Sequence, residues 1–503
     1  MGRWILAVTV LGSGIAFLEA TVVSVALPEI ARDLDAGLGA IQWTLNGYLL
    51  SLAALILLGG SLGDRYGRRL IFNIGIAWFA AASVLCALAP NVEILIAARV
   101  LQGVGGALLT PGSLAIIEAT FHPSDRARAI GAWSGLGGAA AALGPLLGGY
   151  LIDAVSWRAI FWLNVPFGVF VILMANRFVP ETKDPTVGGR LDYRGSLLVT
   201  LGLAGLTFAL IQAPEQGVGS PGVLLSIAIG VAALVGFVFV ERRIRYPMMP
   251  LDIFSSRQFT AANLVTFVVY AALGGVFFLL VVFLQVVLGY SPLEAGAASA
   301  PVTLLLLLLS PRAGALATRI GPRIPLTIGP IVIGAGFLLI ATIEAGDSYV
   351  SGVLPGVLVF GLGLALVVAP VTATVLAAAD PRHSGVASAV NNAVARVAGL
   401  VAVAVFPLIA GLSGGDLLDP VALGDGFRVA MIAAAVMAVA GGVLAWLTIS
   451  NDVLDTAPVG DDASSPARAA TDRSCGVAGT PLRPAREADC IPLSAQASEG
   501  TGQ

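Results

Sequence analysis

The sequence predicts an all-α membrane protein of fourteen spanning helices: two related six-helix halves with two helices inserted between them. An apolar composition, fourteen apolar stretches of spanning length and a repeat at constant offset predict it. Of 503 residues, 57% are hydrophobic and 11% charged, with a mean hydropathy of +0.93. A soluble domain carries about 25% charged residues.

Composition also excludes several classes. A net charge of −3 argues against nucleic acid as a partner. Cys86, Cys475 and Cys490 form neither a disulfide framework nor a metal-ligand spacing, so no metal and no cofactor are expected. Arg3 before an apolar run has the look of a signal peptide, but the run is too long and contains Glu19, so it reads as an uncleaved first span. Lys183 is the single lysine beside many arginines and alanines, which points to a GC-rich bacterial genome.

In chain order the spans fall near 5–28, 43–62, 70–89, 93–118, 128–152, 158–179, 194–212, 222–242, 260–288, 294–318, 324–343, 350–378, 384–411 and 427–449. Each is close to the roughly 20 apolar residues that cross a bilayer. Residues 451–503, rich in Ala, Ser, Pro, Asp and Gly without apolar period, read as a disordered tail. Alternate loops carry Arg65, Arg68 and Arg69; Arg126 and Arg128; Lys183, Arg190 and Arg194; Arg242, Arg243, Arg245 and Arg257; Arg319 and Arg323; and Arg382. The opposite loops hold few basic residues: Arg32, and Arg158 and Arg428 at helix edges. The positive-inside rule therefore puts both termini in the cytoplasm, and an even number of spans agrees.

Glu19 interrupts the first span. A charge at that depth costs a few kcal/mol or more, so intramembrane acids normally face a bundle interior or a watery cavity and mark ion or substrate pathways. Glu19 is thus a candidate proton-handling site.

The repeat gives the organisation. GSLGDRYGRR after the second span and GALATRIGPR after the tenth align at an offset of 254. Gly60, Leu62, Arg65, Gly67 and Arg69 then match Gly314, Leu316, Arg319, Gly321 and Arg323. The same offset pairs Arg128 and Gly131 with Arg382 and Gly385. The domains are therefore residues 1–180, an inserted pair of spans at 181–258, a second half at 259–450, and the tail. Paired halves with a site at the midplane between them are the architecture of alternating-access secondary transporters.

Five stretches carry a family resemblance. FLEATVVSVALP in the first span holds Glu19 and Ser24 where the resembling group has Asp and Asn. With it stand GSLGDRYGRR; ARVLQGVGGALLTP, containing Arg99, Gln102 and Gly103; LGPLLGG, containing Gly144, Pro145, Gly148 and Gly149; and WRAIFWLNVPFG, Trp157 to Gly168. In this order they resemble the major facilitator superfamily, and within it the fourteen-helix drug:proton antiporters. The resemblance covers about residues 5–450 and implies the major facilitator fold. It also implies a bacterial inner-membrane exporter of small lipophilic molecules, coupled to protons, without cofactor and monomeric, its partners being substrate, protons and lipid.

Each motif has a physical reading. Asp64, Arg65, Gly67, Arg68 and Arg69 combine a glycine turn with arginines that suit the anionic cytoplasmic leaflet. Asp64 can pair with a neighbouring arginine and close a gate; its counterpart in the second repeat is Thr318. The alternative is a topology anchor. Arg99 lies too deep to reach headgroups easily. It is either a structural arginine or the cation that tunes Glu19, since a nearby cation and burial act on a carboxyl's proton affinity in opposite senses. Gly144, Pro145, Gly148 and Gly149 let helices approach closely and bend, which makes them a conformational hinge rather than a ligand site.

Trp43, Asn46, Gln102, Asn164, Gln285, Asn391, Asn392 and Arg396 are polar positions within spans and candidates to line the substrate cavity, with interhelical hydrogen bonding as the alternative. Arg396 is a second deep cation with no obvious acid in its half, because Leu273 stands where Glu19 repeats. That leaves room for an anionic or zwitterionic substrate. His122 and His383 lie in loops and are not expected to carry protons.

Three other classes compete. A membrane enzyme would need clustered acids, histidines or a nucleotide loop, and an ATP-driven pump a P-loop; the sequence has neither. A channel would favour a pore-lining ring of like charge. A symporter or an exporter of one endogenous lipid or metabolite stays open, with LGPLLGG favouring export.

Overall fold

The computed structural model describes residues 2–183, 191–244, 247–379 and 384–454. Arg190, Arg245, Arg382, His383 and the tail from residue 455 lie outside the described residues. Among the described residues there is no strand. Thirteen segments are long and apolar enough to cross a membrane, and the 32-residue helix Pro123–Ala154 stands in the fifth place.

The first half comprises α1 (Gly2–Asp33), α2 (Leu38–Tyr66), α3 (Arg68–Ala87), α4 (Val92–Thr120), α5 (Pro123–Ala154), and the short α6 (Ala159–Trp162) with α7 (Asn164–Phe178). The inserted pair is α8 (Tyr193–Gln216) and α9 (Pro221–Glu241). The second half comprises α10 (Arg257–Val286), α11 (Pro292–Ala298) with α12 (Ala300–Ile320), α13 (Arg323–Ile340), α14 (Leu354–Ala377), α15 (Ser384–Ile409) and α16 (Pro420–Thr448).

Proline explains where spans are interrupted. Its ring clashes with the carbonyl four residues back and it donates no hydrogen bond. Pro166 thus separates α6 from α7, Pro301 separates α11 from α12, and Pro355 follows the widened turn Tyr349–Val353 before α14. Glycine is required at Gly67, where φ is +128° and a Cβ would stand 2.7 Å from a Glu181 carboxylate oxygen, so the turn between α2 and α3 admits no side chain without strain.

Within the first half α4 packs on α2 and α3, and α5 packs on α1; within the second, α14 packs on α12 and α13. The halves meet along α2 with α15 and α5 with α11, and α8 lies against both α2 and α15. A cluster of Leu50, Ala53 and Ala54 with Leu203 and Leu400 fills that seam. α8 and α9 approach closely through Gly205, where a Cβ would lie 2.7 Å from the Ser226 carbonyl oxygen, and Gly230. Leu224, Leu225, Val231, Val235 and Phe239 of α9 are exposed, as a lipid-facing surface requires. We call the side bearing Arg65, Arg68, Arg319 and Arg323 the arginine face.

Candidate functional site

Glu19 and Arg99 are both fully buried and form an ion pair of 2.7 Å between α1 and α4. The other Glu19 oxygen accepts a 2.9 Å hydrogen bond from the Asn164 amide at the start of α7. Every partner of this carboxyl donates and none accepts, which is the environment of an ionised, acceptor-only carboxylate. Arg99 also donates through Nε to the Thr44 carbonyl oxygen at 3.0 Å and through Nη1 to Gln102. Gln102 donates in turn to Ser83 Oγ at 2.8 Å, and Asn164 reaches the same oxygen at 3.2 Å. The guanidinium lies 4.5 Å from the Tyr48 ring centroid. A buried ion pair offsets its desolvation only with such added hydrogen bonds. This network ties α1, α2, α3, α4 and α7 together.

Gln102 and Asn164, expected in the cavity wall, belong instead to this charge network. Ser83, Thr44 and Tyr48 are members that sequence reasoning missed. Hydroxyl and aromatic residues in apolar helices carry no signal of their own, and Thr44 contributes a backbone oxygen.

The WRAIFWLNVPFG segment grips α1 at two levels. Asn164 holds Glu19 at depth. At the end of α1, Asp33 accepts 2.6 Å from Arg158 and 2.9 Å from the Trp157 indole.

A cavity of about 350 Å³ opens toward the arginine face between the halves. Ile56, Gly60, Asp64, Thr110, Trp133 and Asn392 are among its lining residues. Asp64 pairs with Arg68 at its mouth, 2.8 Å apart. Behind them Glu181 accepts from the Arg69 and Leu70 backbone N–H groups at 3.1 Å each and lies 3.7 Å from the Arg69 side chain. It caps the bare N-terminus of α3, a favourable place for a carboxylate. Arg65 lies 5.6 Å from the Tyr66 ring.

On the opposite face two side chains bridge the halves. Gln42 of α2 donates 2.8 Å to the Val403 carbonyl oxygen of α15, and Gln285 of α10 donates 2.9 Å to that of Val25 in α1. The glycines expected to form a hinge pack near these bonds. Gly144 and Gly148 pack on α1 against Thr21 and Val22, Gly149 meets Pro292 and Leu293, and Gly296 of α11 meets Pro145.

Of the eight positions proposed for the cavity wall, only Asn392 is among its lining residues. Gln285 instead bridges the two halves through its bond to Val25. Asn391 joins α15 to α10 through Asn263 and Thr266, at 3.1 and 3.0 Å. Trp43 faces Phe208 of the inserted α8, with centroids 6.4 Å apart. Asn46 is fully buried with neither amide atom hydrogen-bonded, and Arg396 lies 5.7 Å from the Phe17 ring centroid. Among the described residues no group of three His, Cys, Asp or Glu side chains could hold a metal ion.

Comparisons with known proteins bear on the fold and the family. The pattern of the Major Facilitator Superfamily matches residues 9–403. The chain is 35% identical over 401 residues to the tetracenomycin C resistance and export protein of Streptomyces glaucescens, covering 80% of this chain and 74% of that one. It is 38% identical over 426 residues to a probable actinorhodin transporter of Streptomyces coelicolor, covering 82% and 73%. It is 34% identical over 478 residues to a puromycin resistance protein of Streptomyces alboniger, covering 92% and 95%. A solved structure of a peptide transporter in complex with sulfate superposes with a TM-score of 0.64 at 14% identity, covering 89% of this chain and 95% of that one; that likeness concerns the fold.

Proposed function

The chain belongs to the Major Facilitator Superfamily, and from that premise we propose that it exports small, largely apolar molecules in exchange for protons. It is a multi-pass membrane transporter and not an enzyme. The resistance and export proteins it resembles support the direction of transport. In this reading the arginine face is cytoplasmic, both termini lie there, and the membrane is a bacterial inner membrane.

The observation that carries the proton-coupled part is Glu19, ionised against Arg99 and sealed from water, in the helix that touches both halves. Phe17 and Val25 of α1 reach α15 and α10, while Glu19 faces α4 and α7. The arrangement corresponds to the stage with the proton released and the cavity open to the cytoplasm. Substrate enters there. The halves then rock, the closure through Gln42 and Gln285 opens, and substrate leaves outward. Protonation of Glu19 from that side cancels its charge, frees Arg99 and Asn164, and permits the return. Loss of the proton inside restores the ion pair. A bistable pair of domains coupled to one titrating group is sufficient for exchange.

The experiment is uphill accumulation of a lipophilic dye in inverted membrane vesicles energised by a pH gradient. Accumulation that collapses with an uncoupler supports the reading; accumulation indifferent to the gradient contradicts it.

A further inference from the structure

Arg99 has its counter-charge in Glu19, but Arg396 has none among the described residues. Among the described residues no carboxylate lies within ion-pair distance of it, and it makes no hydrogen bond. An unmatched guanidinium deep in a span is costly, and a static role would be expected to supply a partner. Glu19 is not within ion-pair distance of Arg396; it pairs with Arg99 and accepts from Asn164.

The surroundings of Arg396 identify what it faces. Ala389 and Asn392 of α15 line the cavity, and Arg396 follows Asn392 by one turn on the same helix face. It therefore stands one turn beyond the last α15 residue that lines the cavity, and is itself only half-buried. The ring beneath it, Phe17, packs edge-on against Trp133 with centroids 6.0 Å apart, and Trp133 also lines the cavity. Tyr48 and Tyr270 lie within electrostatic reach of the guanidinium. Across from it on α2, Asn46 is fully buried with both amide atoms unpartnered. Gln42, one turn away on α2, bonds Val403, which follows Arg396 on α15. The two helices run antiparallel, so Asn46 and Arg396 stand at neighbouring depths.

We propose that Arg396 is the anion-binding residue of the transport cavity, with Asn46 as its polar companion, and that the substrates are aromatic molecules bearing a carboxylate. The guanidinium presents a planar fork that matches a carboxylate. The aromatic walls supply stacking area for a ring system. A site built around an unmatched charge discriminates strongly against analogues that leave it unpaired.

This proposal rests on the export reading, but its test needs no pH gradient. Equilibrium dialysis of the purified full-length protein in detergent would compare 2-naphthoate, 2-naphthamide and 2-naphthylmethylammonium, which share one skeleton. The wild type is expected to bind 2-naphthoate at least tenfold more tightly than either analogue. Arg396→Gln should abolish that preference while leaving the amide's Kd within twofold, and Arg396→Lys should keep part of it. Equal affinity for the three probes in the wild type would overturn the proposal. So would no measurable naphthoate binding at millimolar concentration, or an equal loss of all three probes in Arg396→Gln. If anion preference is present and uphill export is absent, the export reading fails alone. If export is proton-driven without anion preference, this proposal fails alone.

Discussion

Gln285 of α10 donates a 2.9 Å hydrogen bond to the carbonyl oxygen of Val25 in α1, so the two halves are joined by a side chain on one and a backbone on the other. Gln42 makes the reciprocal kind of bond to Val403. Both lie on the face away from the arginines, and both must break for the cavity to open there.

The first prediction follows from these bonds. Interhelical hydrogen bonds in membranes average about 0.6 kcal/mol, so removing both should favour the outward-open state roughly sevenfold. The reporter is Gly399→Cys, where a Cβ meets no other atom within 4 Å, labelled with a membrane-impermeant thiol reagent from outside. Gln42→Leu/Gln285→Leu should label several times faster than the reporter alone. Unchanged labelling would show that these bonds do not hold the closure.

The glycines give the second. A Cβ on Gly149 would lie 2.5 Å from the Pro292 carbonyl oxygen, and one on Gly296 would strike Pro145. Gly148 is equally confined by Val22. Gly148→Leu and Gly296→Ala should therefore be expressed yet transport about tenfold more slowly, because helices that must meet are held apart. Gly131→Ala, with nothing within 4 Å, should transport normally. Full activity in both confined variants removes the hinge role.

The third concerns the cavity mouth on the arginine face. Asp64 and Arg68 are an i,i+4 pair with side chains 33% and 16% exposed, worth about 0.3–0.5 kcal/mol to stability. Asp64→Asn should leave thermal stability and substrate affinity unchanged while slowing exchange. A fall in affinity with normal exchange rates would assign Asp64 to binding rather than gating.

The fourth tests the buried pair by its own energetics. Arg99→Leu leaves the Glu19 carboxylate buried without its cation, a loss of about 3–5 kcal/mol, and should express poorly. Adding Glu19→Gln removes the stranded charge, so the double variant should recover expression without proton-driven export. No recovery would mean that Arg99 acts chiefly through Thr44, Gln102 and the Tyr48 ring.

The architecture was legible because apolar length, arginine distribution and the repeat all report on backbone topology. The Glu19–Arg99 contact was not, since neither residue's sequence neighbourhood encodes which face of α4 turns toward α1. Gln102 and Asn164 were read as cavity residues because a polar residue in a span signals only that it has a partner, not which one. Glu181 was missed because it acts from a loop on a helix end over a hundred positions away. The place of α8 against α2 and α15 depends on packing at the seam, which has no local pattern.

The measurement that tests the central claim most directly is uphill export by Glu19→Gln in proteoliposomes under an imposed pH gradient, beside the wild type and Glu19→Asp. Glutamine keeps the size and the hydrogen bond to Asn164's site but cannot titrate. The account predicts that Glu19→Gln loses gradient-driven export while retaining substrate binding and downhill exchange. Glu19→Asp should keep much of the activity, because the shorter acid still titrates beside Arg99. Undiminished gradient-driven export by Glu19→Gln would contradict the account and move the search for the proton site to Asp64 or Glu118, two acids that line the cavity.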